Sequence, residues 1–110
     1  MGVTIQNIQS NTMNKQYTVV AAFQARFGKE AALREALVKL LVPTRSEEGC
    51  LNYDLHESLE ASGKFLFYEN WSSQAAHQNH MDSAHIKELA ERLEELCANT
   101  PEITFWEELL

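Results

Sequence analysis

Basic charge is scarce in this chain: nine Lys and Arg stand against sixteen acids, a net charge of −7 over 110 residues. The few cations are scattered, and an acidic surface repels phosphate, which argues against nucleic acid and anionic membrane as partners. Apolar runs are short. None reaches the ~18 residues of a membrane span, and no basic-then-apolar leader pattern opens the sequence, so a cytoplasmic location is expected. Cysteine is nearly missing. Cys50 and Cys97 form no C-x-x-C pair and no disulfide framework, and read as small buried thiols in a reducing compartment. Also missing are a Gly-rich phosphate loop, a nucleophile elbow for a serine triad, and a dinucleotide fingerprint. No internal repeat or low-complexity stretch occurs.

What remains is an ordinary globular composition, 45% hydrophobic, enough for one core of modest depth. Residues 1–16 are polar and read as a loose extension, leaving a single domain over 17–110. Residues 17–27 alternate at period two: Tyr17, Val19, Ala21, Phe23, Ala25 and Phe27 give one apolar face of a strand. From about 29 to 48 the period becomes helical, with Leu33, Leu37, Leu40 and Leu41 as the stripe. Pro43 predicts a kink or an early stop there. Gly49 then ends the segment.

Residues 50–58 and 64–71 are aromatic-rich strands joined through Ser62-Gly63, a β-hairpin. Large apolar groups occupy both faces of its second strand. A short helix over 74–81 starts after Ser72-Ser73, and a longer one over 84–98 after Asp82-Ser83. Asn99-Thr100-Pro101 stops it before a last strand over 102–107. The order β-α-β-β-α-β is that of the ferredoxin-like α+β fold: two helices on one face of a four-stranded antiparallel sheet. The other sheet face, apolar but without a spare element to cover it, predicts a homodimer, a dimeric α+β barrel.

Chemistry-bearing side chains gather on the hairpin and the helices after it: Tyr53, His56, Glu69, Trp71, His77, His80, Met81 and His85. Aromatic walls with a few polar groups suit a small-molecule pocket between sheet and helices. Glu69, among Phe65, Phe67 and Trp71, must be paired, with Arg26 or a histidine as candidates, or have a shifted pKa. His77-x-x-His80, with Asp82 and His85 nearby, has the look of a metal pair. That spacing is common by chance, however, and a site needs three or four ligands, so no metal is expected and His77 reads as solvated.

The ordered segments G-C-L-x-Y-D-L-H at 49–56, F-x-F-Y-E-x-W at 65–71, A-x-x-x-H at 76–80 and S-x-H at 83–85 resemble the antibiotic biosynthesis monooxygenase family, over about residues 17–107. The resemblance implies a ferredoxin-like dimer with a pocket between sheet and helices. It also implies activities that include oxidation of anthrones or quinols with O2 and no cofactor, haem degradation, and turnover of small carbonyl metabolites. The haem-degrading branch carries a first-strand asparagine where Ala21 stands here. The anthrone-oxidising branch has an asparagine and a tyrosine where this chain has Phe67 and His77. Glu69, Trp71 and His80 remain, similar to the quinol-monooxygenase-like group. On that resemblance His80 is the expected base, with Glu69 orienting it or the substrate and Trp71 and Tyr53 shaping the pocket. His56, Met81 and His85 are expected to contact a small aromatic substrate. Two other functions compete. One is an isomerase or lyase for a small phosphorylated or carbonyl metabolite, which would want Arg26 or Lys64 in the pocket; the other is a dimeric binding domain without catalysis.

Overall fold

The computed structural model describes residues 15–110. All but Lys15 and Gln16 of the expected extension lie outside the described residues. The elements are β1 (Tyr17–Gln24), α1 (Glu30–Val38), α2 (Leu41–Arg45), β2 (Cys50–Glu57), β3 (Lys64–Trp71), α3 (Gln74–Met81), α4 (Ala84–Ala90), α5 (Leu93–Leu96) and β4 (Glu102–Glu107). The strands form one antiparallel sheet in the order β2-β3-β1-β4. This is the expected ferredoxin-like α+β arrangement. No helix among the described residues is long and apolar enough to cross a membrane.

β1 is a central strand, and its alternation decides which sheet face is dry. Val19, Ala21, Phe23 and Ala25 are buried in one core with Phe65, Phe67, Trp71 and Tyr53 from β3 and β2. Leu33, Leu37 and Leu40 close that core from the helical side. Burying each such side chain stabilises the fold by roughly 1.5–3 kcal/mol. Phe27 does not join them. Its backbone turns away after Ala25, through a bond from Lys29 N to Arg26 O and a left-handed Gly28 (φ 85°), which leaves the ring fully exposed.

The helix expected over 29–48 is two helices, broken ahead of Pro43 rather than at it. Proline has no N–H to offer the carbonyl of Lys39, and its ring crowds that carbonyl. Leu40 N therefore bonds back three residues to Leu37 O at 3.1 Å, and the chain restarts as α2 with Pro43 inside its first turn. α2 lies against β2. Gly49 follows with φ 84°; a Cβ there would stand 2.6 Å from Ala76 Cβ and 2.7 Å from Ser72 Oγ. Only glycine lets this turn approach the start of α3 so closely.

The single helix expected over 84–98 also splits, without a helix breaker at the joint. Beyond α5 the backbone is captured by the end of β1: Arg26 N bonds Leu96 O and Ala98 N bonds Gln24 O, each at 2.8 Å. The strand's free amide and carbonyl outcompete one more helical turn. Ser73 and Ser83 cap α3 and α4 by accepting from Ala76 N and Ile86 N.

On the sheet's opposite face Tyr68 and Trp106 are 44% and 60% exposed, with Leu66 beside them. Toward one end this face turns polar: Thr18 donates to Asn70, Asn70 to Asn52, and Asn52 to Asp54. The β2–β3 ladder carries a bulge between Cys50 and Asn52, where Cys50 opposes Trp71 and Asn52 already opposes Asn70. Cys50 and Tyr53 consequently share the helix-facing side, while Leu51 is half exposed.

Candidate active site

Between the dry sheet face and helices α3 and α4 lies a cavity of about 120 Å³. Ala21, Phe23, Phe67 and Ile103 supply its sheet-side walls; Met81, Ile86 and Leu89 close it from the helices. Four polar side chains reach this apolar space: Tyr53, Glu69, His77 and His80. Among the described residues neither Lys nor Arg lines it.

Period-two alternation in β3 brings Phe67 and Glu69 to the cavity, and Trp71 follows on the same face. Trp71 is wholly buried but lies behind the cavity wall. Its indole Nε1–H donates to Glu69 Oε1 at 2.9 Å, and its ring lies 4.7 Å from that of His80. Glu69 is 2% exposed. Burial, helped by the charge of Glu47, raises its carboxyl to about 7, with the indole hydrogen bond pulling the other way. Among the described residues Glu69 hydrogen bonds with neither Arg26 nor a histidine; Arg26 is exposed and donates to the Glu94 carbonyl.

His80 occupies the last turn of α3 and is 2% exposed. Its Nδ1 is 2.8 Å from Glu47 Oε2, and the same oxygen is 2.6 Å from His85 Nε2. Burial depresses the His80 pKa; Glu47 opposes that shift through its hydrogen bond and its charge, and His85 adds to it. Tyr53 stacks on Phe67 at 4.3 Å and meets the His80 ring edge-on at 5.3 Å. Its phenol is held protonated by burial above all. Thr44, next to its hydroxyl on α2, is fully buried.

Several sequence expectations need correction. His56 is exposed on the opposite sheet face, paired across the ladder with Leu66, and cannot contact a molecule in the cavity. Strict alternation from Tyr53 already demanded this. His85 does not line the cavity; it reaches the site through Glu47. His77 is not solvated. Its ring packs against Tyr17, Trp71 and Phe105 at 5.7–5.8 Å, and burial lowers its pKa to about 4.

Glu47 was invisible to sequence reasoning. It falls at the end of the stretch expected to be helical, off the leucine stripe, and its partners lie 33 and 38 residues away. With His80 and His85 it forms a cluster of metal-ligating type, the three atoms lying within 4.8 Å of one another. The His77–His80 pairing is not part of it. The 2.6 and 2.8 Å separations are those of hydrogen bonds, shorter than the roughly 3.3 Å between neighbouring ligand atoms of a tetrahedral zinc with bonds near 2.0 Å. Cys50 and Cys97 are free thiols; burial first, then Glu47 and Glu69, push Cys50 up to about 11.

Residues 16–92 match the sequence pattern described as antibiotic biosynthesis monooxygenase. Rv0793 of Mycobacterium tuberculosis, which carries a provisional monooxygenase name, is 33% identical over 92 residues, 84% of this chain and 90% of its own. Its solved structure aligns with a TM-score of 0.81 at 32% identity, covering 86% of this chain and 96% of that one. The crystal structure of PA3566 from Pseudomonas aeruginosa aligns with a TM-score of 0.85 at 33% identity, covering 89% and 98%.

Proposed function

Because the chain belongs to the antibiotic biosynthesis monooxygenase family, we propose that it is a cofactor-independent monooxygenase acting on a small quinol-like aromatic with O2. One observation carries the reading. An apolar cavity is lined by a histidine whose Nδ1 is taken by a carboxylate, leaving Nε2 for a substrate proton.

In this reading His80 is the base. The substrate hydroxyl gives its proton to Nε2, and the resulting anion is electron-rich enough to reduce O2. One oxygen atom forms a new bond to a ring carbon, the O–O bond breaks, and the other atom leaves as water. The substrate supplies all four electrons, so that a hydroquinone ends as a hydroxyquinone. The general base contributes about 10²–10⁴-fold. Its depressed pKa keeps the ring neutral at physiological pH, as a base requires. Glu69 serves in its neutral form as a hydrogen-bond donor to the substrate oxygen, steadied by the indole of Trp71. Tyr53 and Met81 shape the walls.

The apolar lining supports an uncharged aromatic over a phosphorylated metabolite, because among the described residues no Lys or Arg is there to meet an anion. Exposed Leu66, Tyr68 and Trp106 support a homodimer through the outer sheet face.

Oxygen uptake by the purified protein with a panel of quinols tests the activity, and His80→Ala tests the base. Turnover that falls at least tenfold with the oligomer intact is expected. Unchanged turnover removes His80 from the chemistry, and no uptake with any quinol leaves a binding domain without catalysis.

A further inference from the structure

Glu47 makes two hydrogen bonds with a single oxygen, one to a buried imidazole that lines the cavity and one to an imidazole outside it. Its backbone is fixed on both sides. Glu47 N bonds Thr44 O at 3.0 Å, Cys50 N bonds Glu47 O at 3.1 Å, and the left-handed Gly49 locks the turn. The carboxylate is thus aimed by the fold rather than by a free side-chain swing.

A carboxylate can only accept here, so each imidazole must present an N–H to it. For His80 this puts the proton on Nδ1, whereas an unconstrained neutral imidazole carries it mostly on Nε2. We propose that Glu47 is the positioning residue of the site, locking His80 in its Nδ1–H tautomer so that the Nε2 lone pair faces the cavity, with His85 bracing the carboxylate from α4. The inference deepens the proposed function and rests on His80 being its base. It assigns to an acid in a turn the role that a buried aspartate plays in a hydrolase triad.

The other groups facing His80 are Tyr53 from β2, Glu69 and Trp71 from β3, and His77 on its own helix. Among the described residues none of them hydrogen bonds to its ring, so the tautomer is set by Glu47. Glu47 also holds the His80 pKa up against burial. Its removal moves the acid limb of kcat to lower pH, an effect that a merely structural residue would not produce.

The experiment reads the tautomer first, by long-range 1H–15N correlation spectra of the folded protein, which need no turnover. The wild type should carry the His80 proton on Nδ1, and Glu47→Ala should move it to Nε2. With a quinol that the wild type oxidises, Glu47→Ala should lose about 10²-fold in kcat, within the range a general base supplies, while KM stays within about twofold. Glu47→Gln, whose amide oxygen still accepts, should keep the tautomer and most of the rate, with the acid limb displaced downward. His85→Gln should leave the tautomer in place. A wild-type proton on Nε2, or a Glu47→Ala variant still protonated on Nδ1, overturns the proposal whatever the activity. A moved tautomer with unchanged quinol turnover instead upholds the positioning and removes His80 as the base.

Discussion

Replacing Glu69 by glutamine should make the protein more stable at neutral and alkaline pH and change little in acid. Burial raises this carboxyl from 4.5 to about 7, which is about 3 kcal/mol between its two protonation states. The fold tolerates the neutral acid and resists the charged one. The contribution to stability is therefore complete below pH 4.5 and is lost as pH rises through 7. Glutamine keeps an acceptor for the Trp71 indole and never ionises. Between pH 5 and pH 8 the variant should gain about 2–3 kcal/mol on the wild type. Urea unfolding of both proteins across that range, at one protein concentration because association shifts apparent stability, measures the difference directly. Other titrating groups cancel in the comparison. A difference that stays level within about 0.5 kcal/mol would show that Glu69 ionises at no cost; a wild type that gains with pH would mean a cation is paired with it.

His77 should produce the opposite slope. Its pKa falls to about 4 when folded, so its stabilising share is present above pH 6.5 and disappears as pH drops through 4; His77→Gln should flatten that acid limb in the same unfolding assay. Tyr68→Glu puts a charge on the exposed apolar sheet face. Light scattering should find a dimer for the wild type and a monomer for the variant, and a variant dimer would place the contact elsewhere. Gly49→Ala forces a methyl to within 2.6 Å of Ala76 Cβ at a positive φ. It should cost about 1–3 kcal/mol in thermal unfolding, and an unchanged Tm would mean that α3 yields freely.

Regular features were legible because their cause is local. The period-two face of β1, the Leu33–Leu37–Leu40 stripe, the hairpin and the two serine caps are each decided by residues near in sequence. Pro43 announced a break, but the break fell at Lys39–Leu40 because proline acts on the carbonyl four residues earlier. The split after Ala90 carried no local sign, and the end of α5 at Leu96 is set by backbone groups of β1 some seventy residues away. The site divides in the same way. Tyr53, Glu69, His80 and Met81 are brought to one cavity by alternation and helical pitch. Glu47 comes from a turn, where no periodicity marks an inward side chain, and Ala25 rather than Phe27 closes the strand because a glycine turn intervenes.

The spare residue at the start of β2 has an effect beyond the cavity. Among the described residues β2 is an outermost strand, and the amides of such a strand invite another chain to add on by backbone pairing. A kinked, more strongly twisted ladder offers a poor template for such zipping. The opposite border, β4, begins and ends with glutamate, whose like charges would repel a copy of themselves. With both rims defended, growth into fibres by sheet extension is discouraged.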